Sequence, residues 1–354
     1  MHASIRVGLI GFGYAGRHFH APLISATPGL ALGVVGSRGG DAVTSTLPGV
    51  EIVADPVAAA RHPDTDLVVI ATPNDTHATL AEIALRAGKH VVVDKPFTVT
   101  LAEARALAGL AAAEGRTLSV FQNRRWDSDF LGVRREIAGG RLGEVVELRS
   151  EISRFRPEVR DRWRERPGPG SGVWYDLGPH LIDQALVLFG PPESVAADLR
   201  AQRPGGMATD WFHTVLGYAR SRVIVTSSML AADVPSRFRV RGTGASLTKR
   251  QGDVQESQLL AGIRPGSPGW GIDPDPMILH CGGEGLQAEI PAPAGRYLDY
   301  YAAIRDAIRE GWEPPVTPAQ ATAVMAVIEA GIRSSAEGVV VRPSYTEAEG
   351  SAWS

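Results

Sequence analysis

The sequence predicts two joined architectures: a doubly wound parallel α/β domain, then an α+β domain whose open sheet is largely antiparallel. Three observations predict this. Up to about residue 122, short aliphatic runs alternate with Ala- and Leu-rich helical stretches. A Gly-x-Gly-x-x-Gly motif, Gly11-Phe12-Gly13-Tyr14-Ala15-Gly16, stands where the first strand meets the first helix. Beyond residue 190, strand-like runs follow one another without helices between them. Alternation feeds a parallel sheet, whereas succession feeds an antiparallel one.

In the first part, residues 7–10, 32–35, 67–70, 90–93 and 118–121 are short runs rich in β-branched and aliphatic residues. Such runs suit strands buried on both faces of a parallel sheet. Helices are expected at 14–26, 76–86 and 101–113, the last capped by Thr100 with Glu103 as a capping box. After residue 122 the expected elements are a helix at 127–138, one long strand at 143–155, a loop at 157–172 and a helix at 175–189. Strands are then expected at 194–200, 212–218, 223–228 and 238–241. Residues 249–296 are rich in Gly and Pro and yield no elements. Helices at 297–310 and 318–337 close the chain, the second capped by Thr317 with Pro318 in its first turn. The domain boundary falls at 122/123, giving a dinucleotide-binding Rossmann domain (1–122) and a substrate-binding and oligomerisation domain (123–354).

Bulk properties bound the function. A chain of 354 residues that is 44% hydrophobic is long enough for two cores. A net charge of -3, from 36 basic and 39 acidic residues, sets up no field for nucleic acid or an anionic membrane. Cys281 is the single cysteine, so no intrachain disulfide can form, which suits a reducing compartment. No charged leader precedes an apolar stretch and no apolar run is long enough to cross a bilayer, so a soluble cytoplasmic protein is expected.

The glycine motif carries the first chemistry. Gly11 permits the tight turn, Gly13 lets backbone approach a pyrophosphate, and Gly16 lets helix pack on strand. The helix N-terminus offers N–H groups and a positive dipole end. The strand ending Val34-Val35-Gly36-Ser37-Arg38 has no carboxylate at its tip to accept from a ribose 2′-hydroxyl, and Asp41 comes a few residues late. Ser37 can donate to a 2′-phosphate and Arg38 can pair with it, so NADP is the expected cofactor, with NAD possible. Ala71, Thr72, Pro73 and Asn74 follow the fourth strand and fall beside the same crevice, with His77 just beyond as a ribose contact or a helix-cap residue.

The second chemistry is an acid–base set. Lys95 follows the apolar run Val91-Val92-Val93, with Asp94 before it to hold it and Pro96 after it to aim it. Its charge suits a developing alkoxide. Asp176 and His180 stand four apart on one helical face, with Asp183 continuing that face. An imidazole oriented by a carboxylate suits proton transfer near neutrality. A metal site from Asp176, His180 and Asp183 is the weaker alternative, because no further ligands are evident. Asn123, Arg124 and Tyr175 are candidate substrate contacts by position. Six arginines (Arg154, Arg156, Arg160, Arg162, Arg164 and Arg166) are interleaved with Glu158, Asp161 and Glu165. They read mainly as a solvated loop, with capture of an anion as the sharper alternative.

Together these residues resemble the Gfo/Idh/MocA oxidoreductases, the glucose-fructose oxidoreductase and inositol dehydrogenase group. The usual Glu-Lys-Pro of that family stands here as Asp94-Lys95-Pro96, and Gly168-Pro169-Gly170-Ser171-Gly172 leads into the helix of Asp176 and His180. Residues 11–21 (GFGYAGRHFHA), 72–77 (TPNDTH), 91–100 (VVVDKPFTVT), 123–130 (NRRWDSDF) and 174–183 (WYDLGPHLID) are similar to the NADP-dependent scyllo-inositol dehydrogenase branch. The resemblance implies a catalytic triad of Lys95, Asp176 and His180, with His180 as proton acceptor. It also implies a cyclic polyol or sugar substrate and a homo-oligomer, dimer or tetramer, built through the open face of the second sheet. Two other readings accompany it: an NADP-responsive regulatory binding protein without catalysis, and transient redox chemistry with no net change in the cofactor.

Overall fold

A computed structural model describes residues 3–282 and 285–353. In chain order its elements are β1 (Ile5–Ile10), a π-helical turn (Gly16–His20) leading into α1 (Ala21–Ala26), β2 (Leu30–Gly36), α2 (Gly40–Thr46), β3 (Glu51–Val53), α3 (Pro56–Ala60), β4 (Leu67–Ile70), α4 (His77–Arg86), β5 (His90–Asp94), α5 (Leu101–Ala113) and β6 (Leu118–Phe121). There follow α6 (Ser128–Ala138), β7 (Val145–Glu151), α7 (Gly172–Phe189), β8 (Ser194–Arg200), β9 (Trp211–Gly217), β10 (Arg222–Ser228), β11 (Phe238–Gly242) and β12 (Ala245–Lys249). The chain closes with α8 (Gln255–Leu260), β13 (Met277–Cys281), β14 (Gln287–Ile290), α9 (Leu298–Glu310), α10 (Pro318–Glu337) and α11 (Glu347–Ser351).

The chain divides into two compact units. The first holds the residues up to Asn123 with Gln255–Trp270 and Arg296–Thr322; the second holds Arg124–Val254, Gly271–Gly295 and the chain from Ala323 onward. Two segments far beyond residue 122 therefore belong to the first unit, and aromatic packing accounts for one of them. Phe121 at the end of β6 meets Tyr300 edge-on at 4.9 Å, and Tyr300 Oη donates to Ser119 Oγ at 3.0 Å. Tyr297, Tyr300 and Tyr301 are fully buried.

Among the described residues, the first unit's sheet has six parallel strands in the order β3-β2-β1-β4-β5-β6. Val7, Leu9, Val68, Val69, Val91, Val92 and Val120 are wholly buried, as near-continuous aliphatic strands between two helical layers require. The order reverses at β1/β4, and a sheet wound both ways from that point opens a crevice at the carboxyl ends of its strands. The capping box at Thr100 and Glu103 is present. Three further elements, α2, β3 and α3, are present beyond those expected. β3 has three residues with Glu51 and Ile52 exposed, and α3 has five, held by Asp55 accepting from Val57 N and Ala58 N. Neither is long enough to show a period.

The second unit's sheet has eight strands among the described residues, ordered β14-β13-β12-β11-β7-β10-β9-β8. Every pair is antiparallel except β7 with β10. β12, β13 and β14 lie in or next to the stretch that gave no elements. The long strand expected at 143–155 is shorter. Residues 143–144 turn against Thr243, which donates to Glu144 O at 3.0 Å, and the regular ladder stops at Glu151. The chain still runs beside β10 afterwards, with Arg154 N and Arg156 N donating to Ser228 O and Met229 O. α7 starts at Gly172, three residues before the expected 175, because Val173 N donates to Thr209 O at 2.6 Å and fixes the first turn.

Trp174 of α7 is the central side chain of this unit. It is 1% exposed, meets Phe212 edge-on at 5.0 Å and donates from Nε1 to Ile328 O at 3.2 Å. Gly178 and Gly331 make room for the indole: a Cβ on Gly331 would stand 2.5 Å from Trp174 Cζ2. Alanine would gain about 1 kcal/mol of helix propensity there, but overpacking an indole that cannot shift costs about 1–3 kcal/mol. Gly331→Ala is expected to destabilise the protein by about 1 kcal/mol net, read from the midpoint of urea unfolding.

Candidate functional site

In the first unit, the residues singled out from the sequence lie at the carboxyl ends of adjacent strands β2, β1, β4 and β5. After β1, Gly11 adopts φ +96° and its N–H donates to Gly36 O at 2.9 Å. A Cβ on Gly11 would collide with the Ala71 carbonyl, and one on Gly16 with the Gly11 carbonyl. Gly13 differs, since a Cβ there would meet nothing within 4 Å. Two glycines therefore serve close packing, and the middle one leaves an open cradle at a helix start. That fits a pyrophosphate. Phe12 and Ala15 are half-buried, and Tyr14 is exposed, donating from Oη to Glu256 Oε1 of α8 at 2.8 Å.

Ser37 N donates to Val53 O at 3.0 Å, and Ser37 Oγ accepts from Gly39 N at 3.1 Å. Arg38 beside it is exposed. Ala71 and Thr72 are half-buried, Pro73 is exposed and Asn74 is buried. Thr72 Oγ1 and Thr76 Oγ1 stand 2.6 Å apart. His77 is fully buried, its Nδ1 at 2.9 Å from Pro96 O and its Nε2 at 3.0 Å from Thr72 O. The ring thus stands between the turns after β4 and β5, where one nitrogen can donate to a carbonyl. Asn123 is likewise buried.

Lys95 is half-buried at the end of β5, next to the buried Asp94. Asp94 Oδ1 lies 3.7 Å from His20 Nε2, an ion-pair rather than a hydrogen-bond distance, while His20 Nδ1 is 2.6 Å from Tyr301 Oη. Burial alone would raise the Asp94 pKa, but His20, Lys95 and His77 outweigh it and hold the carboxyl below its usual range. Asp94 is therefore held as a carboxylate.

In the second unit, α7 is buried from Gly172 to Leu186 except at Tyr175 and Asp176. Asp176 is 27% exposed and lies 3.8 Å from Arg164 Nε. His180, one turn on, is 4% exposed. The helix thus presents a carboxylate at an opening with an imidazole beneath it. Asp183 is bound in both oxygens by Arg125, at 2.8 Å and 2.7 Å, and Arg125 lies 5.3 Å over the Trp353 ring. Burial pushes the Asp183 pKa up and Arg125 pulls it back without cancelling the rise. With Asp183 committed to Arg125, the three-residue metal set read from the sequence does not assemble. Among the described residues no cluster of three His, Cys, Asp or Glu could hold a metal ion.

The sequence reading did not include the polar layer below α7. Gln184 donates to Arg124 O at 2.8 Å and accepts from Arg237 Nη2 at 2.7 Å, and Arg237 Nε is 3.2 Å from Asp129 Oδ2. Arg124 donates to Asp127 Oδ2 at 3.0 Å. Arg124, Asp129, Ser153, Arg154 and Arg237 line a cavity of about 420 Å³, large enough for a sugar ring. Gln184 was legible, standing four residues past His180 on the same face. Arg237, alone at the start of a strand, gave no signal.

The fold agrees with known proteins. Residues 5–122 match the family model described as the oxidoreductase family NAD-binding Rossmann fold, and residues 134–342 match that family's C-terminal alpha/beta domain. An uncharacterized oxidoreductase of Escherichia coli K12, YdgJ, is 51% identical over 95% of this chain and 97% of its own length. The scyllo-inositol 2-dehydrogenase (NADP(+)) IolW of Bacillus subtilis 168 is 36% identical over 94% of each. A crystal structure of an oxidoreductase from Klebsiella pneumoniae superposes with a TM-score of 0.93 at 48% identity, covering 99% of this chain and 98% of the other. The chain belongs to the Gfo/Idh/MocA family of oxidoreductases and carries that family's NAD(P)-binding Rossmann domain.

Two outcomes follow from the charges. Because folding lowers the Asp94 pKa, its stabilisation is complete above the unfolded value of about 3.9 and is lost as pH falls through the lower folded value. Asp94→Asn should be less stable than wild type near neutrality and lose stability less steeply in acid, measured by urea unfolding across that range. Arg125→Gln strands the buried Asp183 carboxylate and should cost about 3–5 kcal/mol in the same measurement.

Proposed function

We propose that the protein is an NADP-dependent oxidoreductase that moves a hydride between the nicotinamide and a secondary alcohol or ketone of a cyclic polyol or sugar. The observation that carries this reading is α7, which is buried except where Tyr175 and Asp176 open it, with His180 one turn beneath. Gly11, Gly13 and Gly16 would hold the dinucleotide, which would supply a hydride acceptor for the oxidising direction. His180 takes the hydroxyl proton, so the alcohol loses two electrons and two hydrogens and becomes a ketone. Asp176 orients the imidazole. Lys95, steadied by Asp94, polarises the hydroxyl and favours the alkoxide. Ketone reduction uses the same groups in reverse. Arg124 and Tyr175 meet the substrate's other hydroxyls.

The choice of NADP rests on Arg38, exposed after β2 with no carboxylate at the strand tip. The polyol class draws support from the scyllo-inositol 2-dehydrogenase relative. We also propose a homo-oligomer, dimer or tetramer, built on the open face of the eight-stranded sheet. Along β9, Phe212, Thr214 and Leu216 are buried, while Trp211, His213 and Val215 on the other face are less covered. The substrate is a small molecule, and no described helix is long and apolar enough to cross a membrane.

A panel of inositols, aldoses and their keto forms, followed by nicotinamide absorbance with NADP and NAD separately, tests the reading. His180→Ala and Lys95→Met should each cut turnover at least ~100-fold with cofactor affinity kept. Turnover at the wild-type level in either variant would refute the assignment. Arg38→Ala should raise KM for NADP by about tenfold while leaving KM for NAD near its wild-type value.

A further inference from the structure

The acid–base set leaves the arginine-rich segment before α7 unused. Three of these six arginines are paired. Arg166 pairs with Asp161 at 2.7 Å, Arg162 with Glu165 at 2.6 Å, and Arg164 lies 3.8 Å from Asp176 while covering the Trp163 ring. Arg203, from the next loop, is held by Glu165 and Asp210. Arg154 and Arg156 are different. Both are half-buried, and neither guanidinium has an ion-pair or hydrogen-bond partner among the described residues.

These two side chains line one groove together with Arg162, Arg164 and the first turn of α7, including Asp176. Five arginines and three carboxylates form its walls, so it carries net positive charge. Burial, and then the charges of Arg154, Arg160 and Arg162, lower the Arg156 pKa against the opposing pull of Glu165. The amino end of an 18-residue helix adds to the same potential. A half-buried guanidinium crowded by like charges is an electrostatic cost that a bound anion relieves. The groove measures about 20 Å³, room for one small polar group and not for a ring. Arg154 also lines the 420 Å³ cavity, so the ring-sized space and the anion-sized space share a wall.

We propose that this groove is a subsite for a small anionic substituent, a carboxylate or a phosphate monoester, carried by the polyol or sugar on which α7 acts. The inference rests on the oxidoreductase reading of α7. It narrows the substrate from a neutral polyol to an acidic one. Arg154 and Arg156 hold the anion beside Asp176, which lines the same groove.

The test is calorimetric titration of the full protein with NADP present, using D-glucuronate, myo-inositol 1-phosphate and neutral myo-inositol. One of the two anions should bind at least ~10-fold tighter than the neutral ligand at low salt, and that advantage should shrink as salt rises. The better anion distinguishes carboxylate from phosphate. The double variant Arg154→Gln/Arg156→Gln should bring the ratio of anionic to neutral affinity close to one. Arg156→Lys should retain part of it, and Arg166→Gln, already paired outside the groove, should leave it unchanged. Equal affinities for all three ligands, salt-independent binding, or a preference that survives in the double variant would overturn the proposal. A bound anion that produces no change in nicotinamide absorbance would uphold the groove and count against the redox reading, so the two failures are separable.

Discussion

Arg125 grips both oxygens of Asp183 on a helix that water scarcely reaches, and the rest of the second unit is arranged around that demand. A carboxylate in such surroundings needs a cation aligned with both lone-pair directions, because an unanswered charge there costs several kcal/mol. Arg125 is fixed in turn against Trp353. The same rule continues along α7, where Gln184 is satisfied on both sides and Arg237 bridges to Ser150 and Asp129. Asp176 stands apart from this buried set, 27% exposed and 3.8 Å from Arg164 Nε.

The first unit uses a different constraint. Its strands are too apolar to hold polar groups within the sheet, so function is displaced to the strand ends. Gly13 is open there because Gly11 and Gly16 are not: the two packed glycines fix the turn that leaves the third exposed. Asp94 lies at the border between these regimes. It is buried beside His20, whose other ring nitrogen meets Tyr301, and it lies next in the chain to the half-buried Lys95.

Periodicity made much of this legible. Long, strongly patterned elements such as α5, α10 and the aliphatic strands show themselves through repeated burial, and the glycine motif shows itself through its strand–turn–helix setting. What stayed hidden has a shared physical cause. β3 and α3 are too short to carry a period, and β12 to β14 lie in or beside a Gly- and Pro-rich stretch whose pairing is set by distant strands. Arg237 and Asp129 matter because the sheet and α6 bring them together, and no local pattern records that. His77, read as a ribose contact or a helix-cap residue, has ring nitrogens 2.9 Å and 3.0 Å from the carbonyls of Pro96 and Thr72, a long-range placement that its position in the chain does not record.

The tyrosines of α9 bear on where this chain can be cut. Tyr300 covers Phe121 and Tyr301 reaches His20, the latter from 281 residues away, and Tyr14 reaches α8 from the glycine turn. A fragment trimmed after the last parallel strand would keep every cofactor-facing residue and still bare an aromatic wall to water. Recombinant excision, or module swapping between relatives at that seam, would therefore need to carry the late helices along to remain free of clumping.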